Sequence, residues 1–124
     1  MKIISFKGGH DRNLSYLIHT QNKCLIVDPF KNIKIYEDKA KSLNLKIIGI
    51  LNTHSHKDHT KGNPEFIKKK IPILNLTNKK EIILEGETIN LIQTPGHSED
   101  SICFHFDSNL ITGYTLFINR VGMT

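Results

Sequence analysis

Residues 53–62 concentrate side chains that can bind a metal ion. Three imidazoles and one carboxylate fall within six consecutive positions, namely His54, His56, Asp58 and His59. Imidazole and carboxylate ligands together suit zinc, iron or manganese, and no cysteine lies nearby to indicate a structural zinc site. A solvated histidine-rich loop is the alternative, but the ligand spacing and the preceding strand favour a metal site.

The elements next to this stretch can position its side chains. The apolar, isoleucine-rich run 46–51 predicts a buried strand, so the stretch begins in the loop at the strand's end. The first two histidines are two residues apart and would point to the same side of an extended backbone. A helix predicted over 64–70 begins just after the loop and could turn Asp58 and His59 toward the same volume.

The order His-x-His-x-Asp-His over residues 54–59 resembles the signature of the metallo-β-lactamase superfamily. Residues 94–97, Thr-Pro-Gly-His, are similar to a later turn of that family, and residues 110–117 are similar to its Leu-x-x-Gly-Asp-Thr-Leu-Phe segment. Alone, a Pro-Gly-His turn is weak evidence for a ligand. In this order and spacing, the resemblance implies that His97 is the third imidazole on a metal.

The predicted elements fit one layered α/β domain over residues 1–124 with mixed rather than doubly wound sheets. Strands are predicted over 2–6, 14–19, 24–27, 46–51, 71–76, 82–84, 88–93, 101–106 and 110–112, and helices over 33–43 and 64–70. The resemblance implies the N-terminal two-thirds of a metallo-β-lactamase-like αββα sandwich. The family's later helix, strands and last histidine have no counterpart before Thr124, so we expect a domain that is incomplete at its C-terminus.

The resemblance also implies a role for each site residue. One metal would bind His54, His56 and His97. A second metal would bind Asp58 and His59 together with a late histidine, and we expect Asp58 to be catalytic as well as a ligand. Water bound to such metals has a pKa near ~7, which makes it a nucleophile at neutral pH.

Among the departures from the family pattern, two bear directly on the site; the other two are Asp100 in place of a glycine and Met123 in place of an arginine. Tyr114 stands where the family has an aspartate that bridges two metals or anchors a single iron. A phenol offers one oxygen and has a pKa near ~10, so Tyr114 would either bind a metal, iron more naturally than zinc, or block the emptied site. In Asp28-Pro29-Phe30 the family usually has glycine last; Asp28 either orients the metal loop or is simply a carboxylate in a turn.

The segments around Gly113 and Val121 resemble the glyoxalase II-like branch, which predicts a thioester hydrolase of the hydroxyacylglutathione type. The expected cofactor is one or two Zn²⁺ ions, with Fe²⁺ as the alternative. A mononuclear iron protein similar to persulfide dioxygenases, or a catalytically impaired fragment without the second metal, are the competing hypotheses. Because Tyr114 replaces the bridging aspartate, we expect at most one metal and weak or absent hydrolysis.

Charge and composition indicate which kinds of molecule the chain could bind. The formal net charge is +5, but the basic residues are scattered lysines with few arginines, which favours a small anionic substrate such as a thioester over nucleic acid. No signal peptide or run of ~20 apolar residues is found, so a cytoplasmic location without membrane contact is expected. Cys24 and Cys103 lie in apolar runs and are predicted to be buried thiols, with a catalytic cysteine as the alternative. The oligomeric state stays open.

Overall fold

The structure, a computed structural model, describes residues 1–7, 14–53, 62–93 and 102–112, and the backbone of 116–118. Within these ranges a layer of two helices covers one face of a first β-sheet, and a second β-sheet packs against its other face. This arrangement agrees with the predicted α/β sandwich. No helix in the described ranges is long and apolar enough to cross a membrane.

The first sheet is mixed, as predicted. Its strands are β1 (Lys2–Lys7), β2 (Leu14–His19), β3 (Lys23–Val27) and β4 (Lys46–Leu51), in that spatial order. β1, β2 and β3 pair antiparallel, whereas β3 and β4 pair parallel and are connected through the helix α1 (Lys34–Ser42). β2 and β3 are covered on both faces, which explains why their sequences are continuously apolar rather than alternating.

The second sheet is antiparallel throughout the described residues, so the prediction of mixed sheets holds for the first sheet only. Its strands are β5 (Glu81–Leu84), β6 (Glu87–Gln93), β7 (Ile102–Phe106), β8 (Asn109–Ile111) and β9 (Leu116–Ile118), again in spatial order. β9 was missed from the sequence. It is only three residues long, and although all three are apolar, the run is shorter than the four to eight residues from which a strand is usually predicted.

Two clusters of buried side chains form the core. The cluster between the sheets includes Tyr16 and Leu51 from the first sheet and Phe104 and Phe106 from the second. The other cluster lies between the first sheet and the helices, where Tyr36 of α1 and Phe66 of α2 (Asn63–Lys68) are fully buried. Both helices therefore cover the first sheet from outside. For α1 this agrees with the helical spacing of its apolar residues, which predicted an amphipathic helix.

The strand predicted over 71–76 is wrong. This segment makes one parallel bridge, between Ile73 and Ile50 of β4. The Ile50 N–H donates to the Pro72 carbonyl at 2.9 Å, and the Leu74 N–H donates to the Ile50 carbonyl at 2.9 Å. Pro72 has no N–H with which to continue the ladder in the other direction, so an apolar, extended segment does not become a strand.

Candidate metal centre

The five predicted metal ligands lie outside the described residues. His54, His56, Asp58 and His59 fall within 54–61, and His97 falls within 94–101. Tyr114 lies in 113–115, which is also outside the described residues. Their convergence on a metal stays a prediction. The described residues on either side of these loops establish where in the fold each loop begins and ends.

The loops that carry the predicted ligands begin and end at the same end of the sandwich. Gln93 and Ile102 pair directly, so residues 94–101 leave and re-enter the second sheet at one place. The Ile102 N–H donates to the Thr53 carbonyl at 2.9 Å. The residue before loop 54–61 thus contacts the residue after loop 94–101. We call this end of the sandwich the loop end.

Two further connections belong to the loop end. Lys7 of β1 pairs with Leu14 of β2, which places both ends of residues 8–13 there. Ile111 pairs with Phe104 on one side and with Leu116 on the other, so residues 113–115 connect β8 and β9 at this end as well. Chemistry-bearing segments far apart in the sequence therefore leave the fold from one place, as binding loops on a rigid scaffold commonly do.

Asp28 fixes the start of loop 54–61. Its side chain is 2% exposed, and its two oxygens accept hydrogen bonds from the Thr53 N–H at 2.8 Å and the Thr53 hydroxyl at 2.5 Å. Its own N–H donates to the Leu51 carbonyl at 2.9 Å. Of the two roles that the sequence left open for Asp28, these contacts favour support of the metal loop, because they orient the residue that precedes His54.

The backbone at Asp28 is strained in a way that these bonds can maintain. Its φ is +51°, in the left-handed region that residues other than glycine seldom adopt. Pro29 follows and restricts the preceding residue further. Aspartate is one of the few residue types that tolerate this conformation, and strain of this kind persists where the surroundings fix it.

Gly62 fixes the other end of loop 54–61 to the turn of residues 28–30, which also contains Asp28. Its N–H donates to the Pro29 carbonyl at 2.9 Å. A Cβ at this position would lie 2.2 Å from the Phe30 carbonyl oxygen and 2.8 Å from the Pro29 Cβ, so only glycine fits. The sequence indicated Gly62 only as the approach to a helix. Both ends of the loop are thus held by the turn of residues 28–30.

Buried polar atoms without a partner lie near the loop end. Among the described residues, three such atoms have no hydrogen-bond partner: Asn52 Oδ1 and Asn63 Oδ1, on either side of residues 53–62, and the Tyr16 hydroxyl. Burial, with a smaller contribution from the Asp28 charge, raises the pKa of Tyr16 to about 12. Buried polar atoms are seldom left unpaired. The two asparagines, one on each side of loop 54–61, can therefore each accept a hydrogen bond from a further polar group, which is compatible with a hydrated metal site.

The two cysteines are buried and unbridged, as predicted. Burial raises the pKa of the Cys24 thiol to about 12, which leaves it protonated at neutral pH and a poor nucleophile. Within the described ranges, no group of three or more histidine, cysteine or acidic side chains is placed to hold a metal. The sequence assigned no role to Thr53, although its position directly after a buried strand and before His54 is a usable signal.

Comparison with known proteins identifies relatives of this chain. A sequence profile of the metallo-beta-lactamase superfamily matches residues 8–74. The hydroxyacylglutathione hydrolase of Francisella philomiragia is 30% identical to 90% of this chain, and that of Francisella tularensis subsp. novicida is 34% identical over the same share. The chain spans about half the length of these curated relatives, 50% in each case.

Solved structures share the fold. ETHE1 from Myxococcus xanthus superposes with a TM-score of 0.75 at 18% identity, over 90% of this chain and 56% of that protein. A metallo-beta-lactamase from Staphylococcus aureus superposes with a TM-score of 0.72 at 25% identity, over 90% of this chain and 39% of that protein. The sequence profile, the two-sheet sandwich and these likenesses agree with the resemblance in the sequence: the chain belongs to the metallo-beta-lactamase superfamily.

Proposed function

We propose that this chain binds zinc at the loop end and takes part in hydrolysis of a small anionic thioester of the hydroxyacylglutathione type. The observation that carries the proposal is the hydrogen bond between Thr53 and Ile102, 2.9 Å long. It joins the boundaries of the two loops that contain His54, His56 and His97. The relatives named hydroxyacylglutathione hydrolase support the substrate class.

The donor set fits zinc. His54, His56 and His97 would supply three imidazoles to one ion, the number found in single-zinc hydrolases, while Asp58 and His59 would approach from the same loop. When bound, the metal would supply a water acidic enough to attack a thioester carbonyl at neutral pH. The chain's own contribution is to hold the imidazoles in register through Asp28 and Gly62, and to attract an anion through its net charge of +5.

A second metal is not expected in the 124-residue chain. Tyr114 stands in place of the bridging aspartate, and a phenol offers one oxygen where a carboxylate offers two. Without that bridge, Asp58 and His59 are fewer than the three or four ligands of a stable zinc site. We therefore expect one zinc per chain and turnover below the ~1 s⁻¹ at which ordinary enzymes begin.

The direct test is metal analysis of the purified chain, followed by zinc affinity measured against a chromophoric chelator. His97→Ala should weaken zinc binding by at least ~100-fold, because a directly bonded ligand is worth at least as much as a supporting residue. His105→Ala is the matched control, since His105 is a half-buried histidine of β7 and not a predicted ligand. Equal effects of the two substitutions, or no zinc in the wild type, would overturn the proposal.

Substitution of Tyr114 tests the one-metal interpretation. Tyr114→Asp should raise metal affinity about tenfold or more, equivalent to ~1.4 kcal/mol, by restoring an anionic oxygen ligand. Tyr114→Asn introduces a side chain of nearly the same shape as aspartate but without its charge, and it should give little gain in metal affinity. Two zinc ions per chain with Tyr114 unchanged, together with fast hydrolysis of a glutathione thioester, would contradict this interpretation. A single iron would instead support the alternative related to persulfide dioxygenases.

A further inference from the structure

We propose that Tyr36 is a positioning residue for the metal loop. Through its hydroxyl group it holds the turn of residues 28–30, to which both ends of loop 54–61 are attached. The effect on metal binding rests on the proposed function, whereas the effect on the turn itself does not. Neither the motifs of the sequence nor the family resemblance assigns this role to Tyr36.

The hydroxyl of Tyr36 makes two hydrogen bonds, and both lead to the turn. It accepts from the Phe30 N–H at 2.7 Å and donates to Ser15 Oγ at 2.8 Å. Ser15 Oγ in turn donates to the Val27 carbonyl at 2.7 Å. Val27 and Phe30 flank Asp28 and Pro29, so the chain of hydrogen bonds closes around the turn.

Because these hydrogen bonds are buried, the loss of any one of them should destabilise the turn. Tyr36 and Ser15 are both 0% exposed, so water cannot replace a lost partner. Burial raises the pKa of Tyr36 to about 12, and the hydroxyl therefore keeps its proton at neutral pH and stays a donor to Ser15. A phenylalanine in this place would leave the Phe30 N–H buried without its partner.

The aromatic ring of Tyr36 has a separate, structural task. It packs edge-on against Phe6, with ring centroids 4.8 Å apart, and lies 6.0 Å from the ring of Phe66 in α2. A phenylalanine would keep both contacts. The hydroxyl group is thus separable from the packing, and its loss should act on the turn rather than on the core.

The turn transmits this constraint to both ends of the metal loop. The Asp28 carboxylate holds Thr53, and the Pro29 carbonyl holds Gly62. If the Phe30 end of the turn moves, both attachments loosen, although Tyr36 contacts neither. Supporting residues of this kind typically change metal affinity by about 10–100-fold.

The experiment compares Tyr36→Phe with Tyr16→Phe. Both hydroxyls are buried, but that of Tyr16 has no hydrogen-bond partner in the part of the chain that the structure describes, so its removal controls for the loss of a buried phenol. Amide hydrogen exchange, followed by NMR, should become at least ~10-fold faster at Thr53 and Gly62 in Tyr36→Phe and stay unchanged in Tyr16→Phe. Zinc affinity should fall about 10–100-fold in Tyr36→Phe only.

Each outcome decides the inference. Uniformly faster exchange across β2 and the turn, or unchanged exchange at Thr53 and Gly62, would mean that Tyr36 has a merely structural role. Faster exchange at the turn with unchanged zinc affinity would also overturn the inference while leaving the proposed function intact. If the wild type binds no zinc, the proposed function fails and the exchange rates alone decide whether Tyr36 holds the turn. Should Tyr36→Phe not fold, Ser15→Ala breaks the same network from its other side and should give the same pattern.

Discussion

Each end of the sandwich contains a carboxylate that accepts hydrogen bonds from a threonine hydroxyl and from a backbone N–H, but the two carboxylates differ in their surroundings. At the loop end, the Asp28 carboxylate accepts from the N–H and hydroxyl of Thr53. At the opposite end, the Glu85 carboxylate accepts from the Thr20 hydroxyl and the Asn22 N–H. Both acidic residues have a left-handed backbone, with φ of +51° and +47°.

Burial separates the two carboxylates. Asp28 and Thr53 are almost completely enclosed, whereas Glu85 is exposed to solvent. A hydrogen bond in water competes with hydration and contributes little net stability, while a buried one cannot be replaced once broken. The hydrogen bonds of the carboxylate should therefore contribute little to stability at the exposed end and much more at the loop end.

The connections at each end explain this difference. Opposite the loop end, β5 and β6 are joined by Glu85 and Gly86 alone, and two residues with positive φ form a hairpin turn that needs little help. The loop end carries the longer connections 54–61 and 94–101, which lie outside the described residues. Their described boundaries are held by specific contacts: the Asp28 carboxylate holds Thr53, and the Pro29 carbonyl accepts from the Gly62 N–H.

The largest expected effect comes from removing each carboxylate. Asp28→Ala should lower the free energy of unfolding by about 3–5 kcal/mol, because it leaves the buried N–H and hydroxyl of Thr53 without this acceptor. Glu85→Ala should lower it by a small fraction of that amount, since water replaces the lost bonds. Urea unfolding of both variants measures the difference. Similar losses in the two variants would contradict the role we assign to burial.

Glycine substitutions give the next largest difference. Gly62→Ala should cost about 2–3 kcal/mol, because the added Cβ would overlap the backbone carbonyl of Phe30. Gly86→Ala meets no atom within 4 Å and should cost only about 1 kcal/mol, from its φ of +82°. Thermal unfolding compares them. A larger cost at Gly86 would mean that the loop end tolerates backbone movement.

The pH dependence of stability at the exposed end should show the smallest effect. Hydrogen bonds from Thr20 and then Asn22 lower the pKa of Glu85 below its usual 4.5. A lowered folded-state pKa stabilises the fold above the unfolded-state value, and this contribution is lost as the pH falls through the folded-state value. The stability difference between wild type and Glu85→Gln should therefore shrink below pH 4.5. Urea unfolding at pH 7 and at progressively lower pH measures it, and a constant difference would contradict the expected linkage.

The sequence by itself determined the strands of the first sheet, the two helices and the family. Each depends on a local pattern: β4 is a short apolar run, α1 has apolar residues at helical spacing, and the metal signature occupies six consecutive positions. Predictions from local patterns failed for two segments whose structure depends on a neighbouring strand. Residues 71–76 have a strand-like composition but make one bridge to β4, where Pro72 has no N–H to extend the ladder toward Ile48, and β9 is a three-residue run that is identified by its pairing with β8.

Only the tertiary structure decided what holds the two ends of loop 54–61. The hydrogen bonds that hold them join residues distant in sequence: Asp28 with Thr53, Tyr36 with Ser15, and Thr53 with Ile102. The hydrogen-bonding capacity of a residue does not by itself predict which partner it meets. Their pairing follows from the register of β3 on β4 and from the packing of the second sheet against the first. The sequence names the side chains that can bind a metal because ligand chemistry is a property of single residues. The tertiary structure selects the side chains that position the loop because burial and contact are properties of the whole fold.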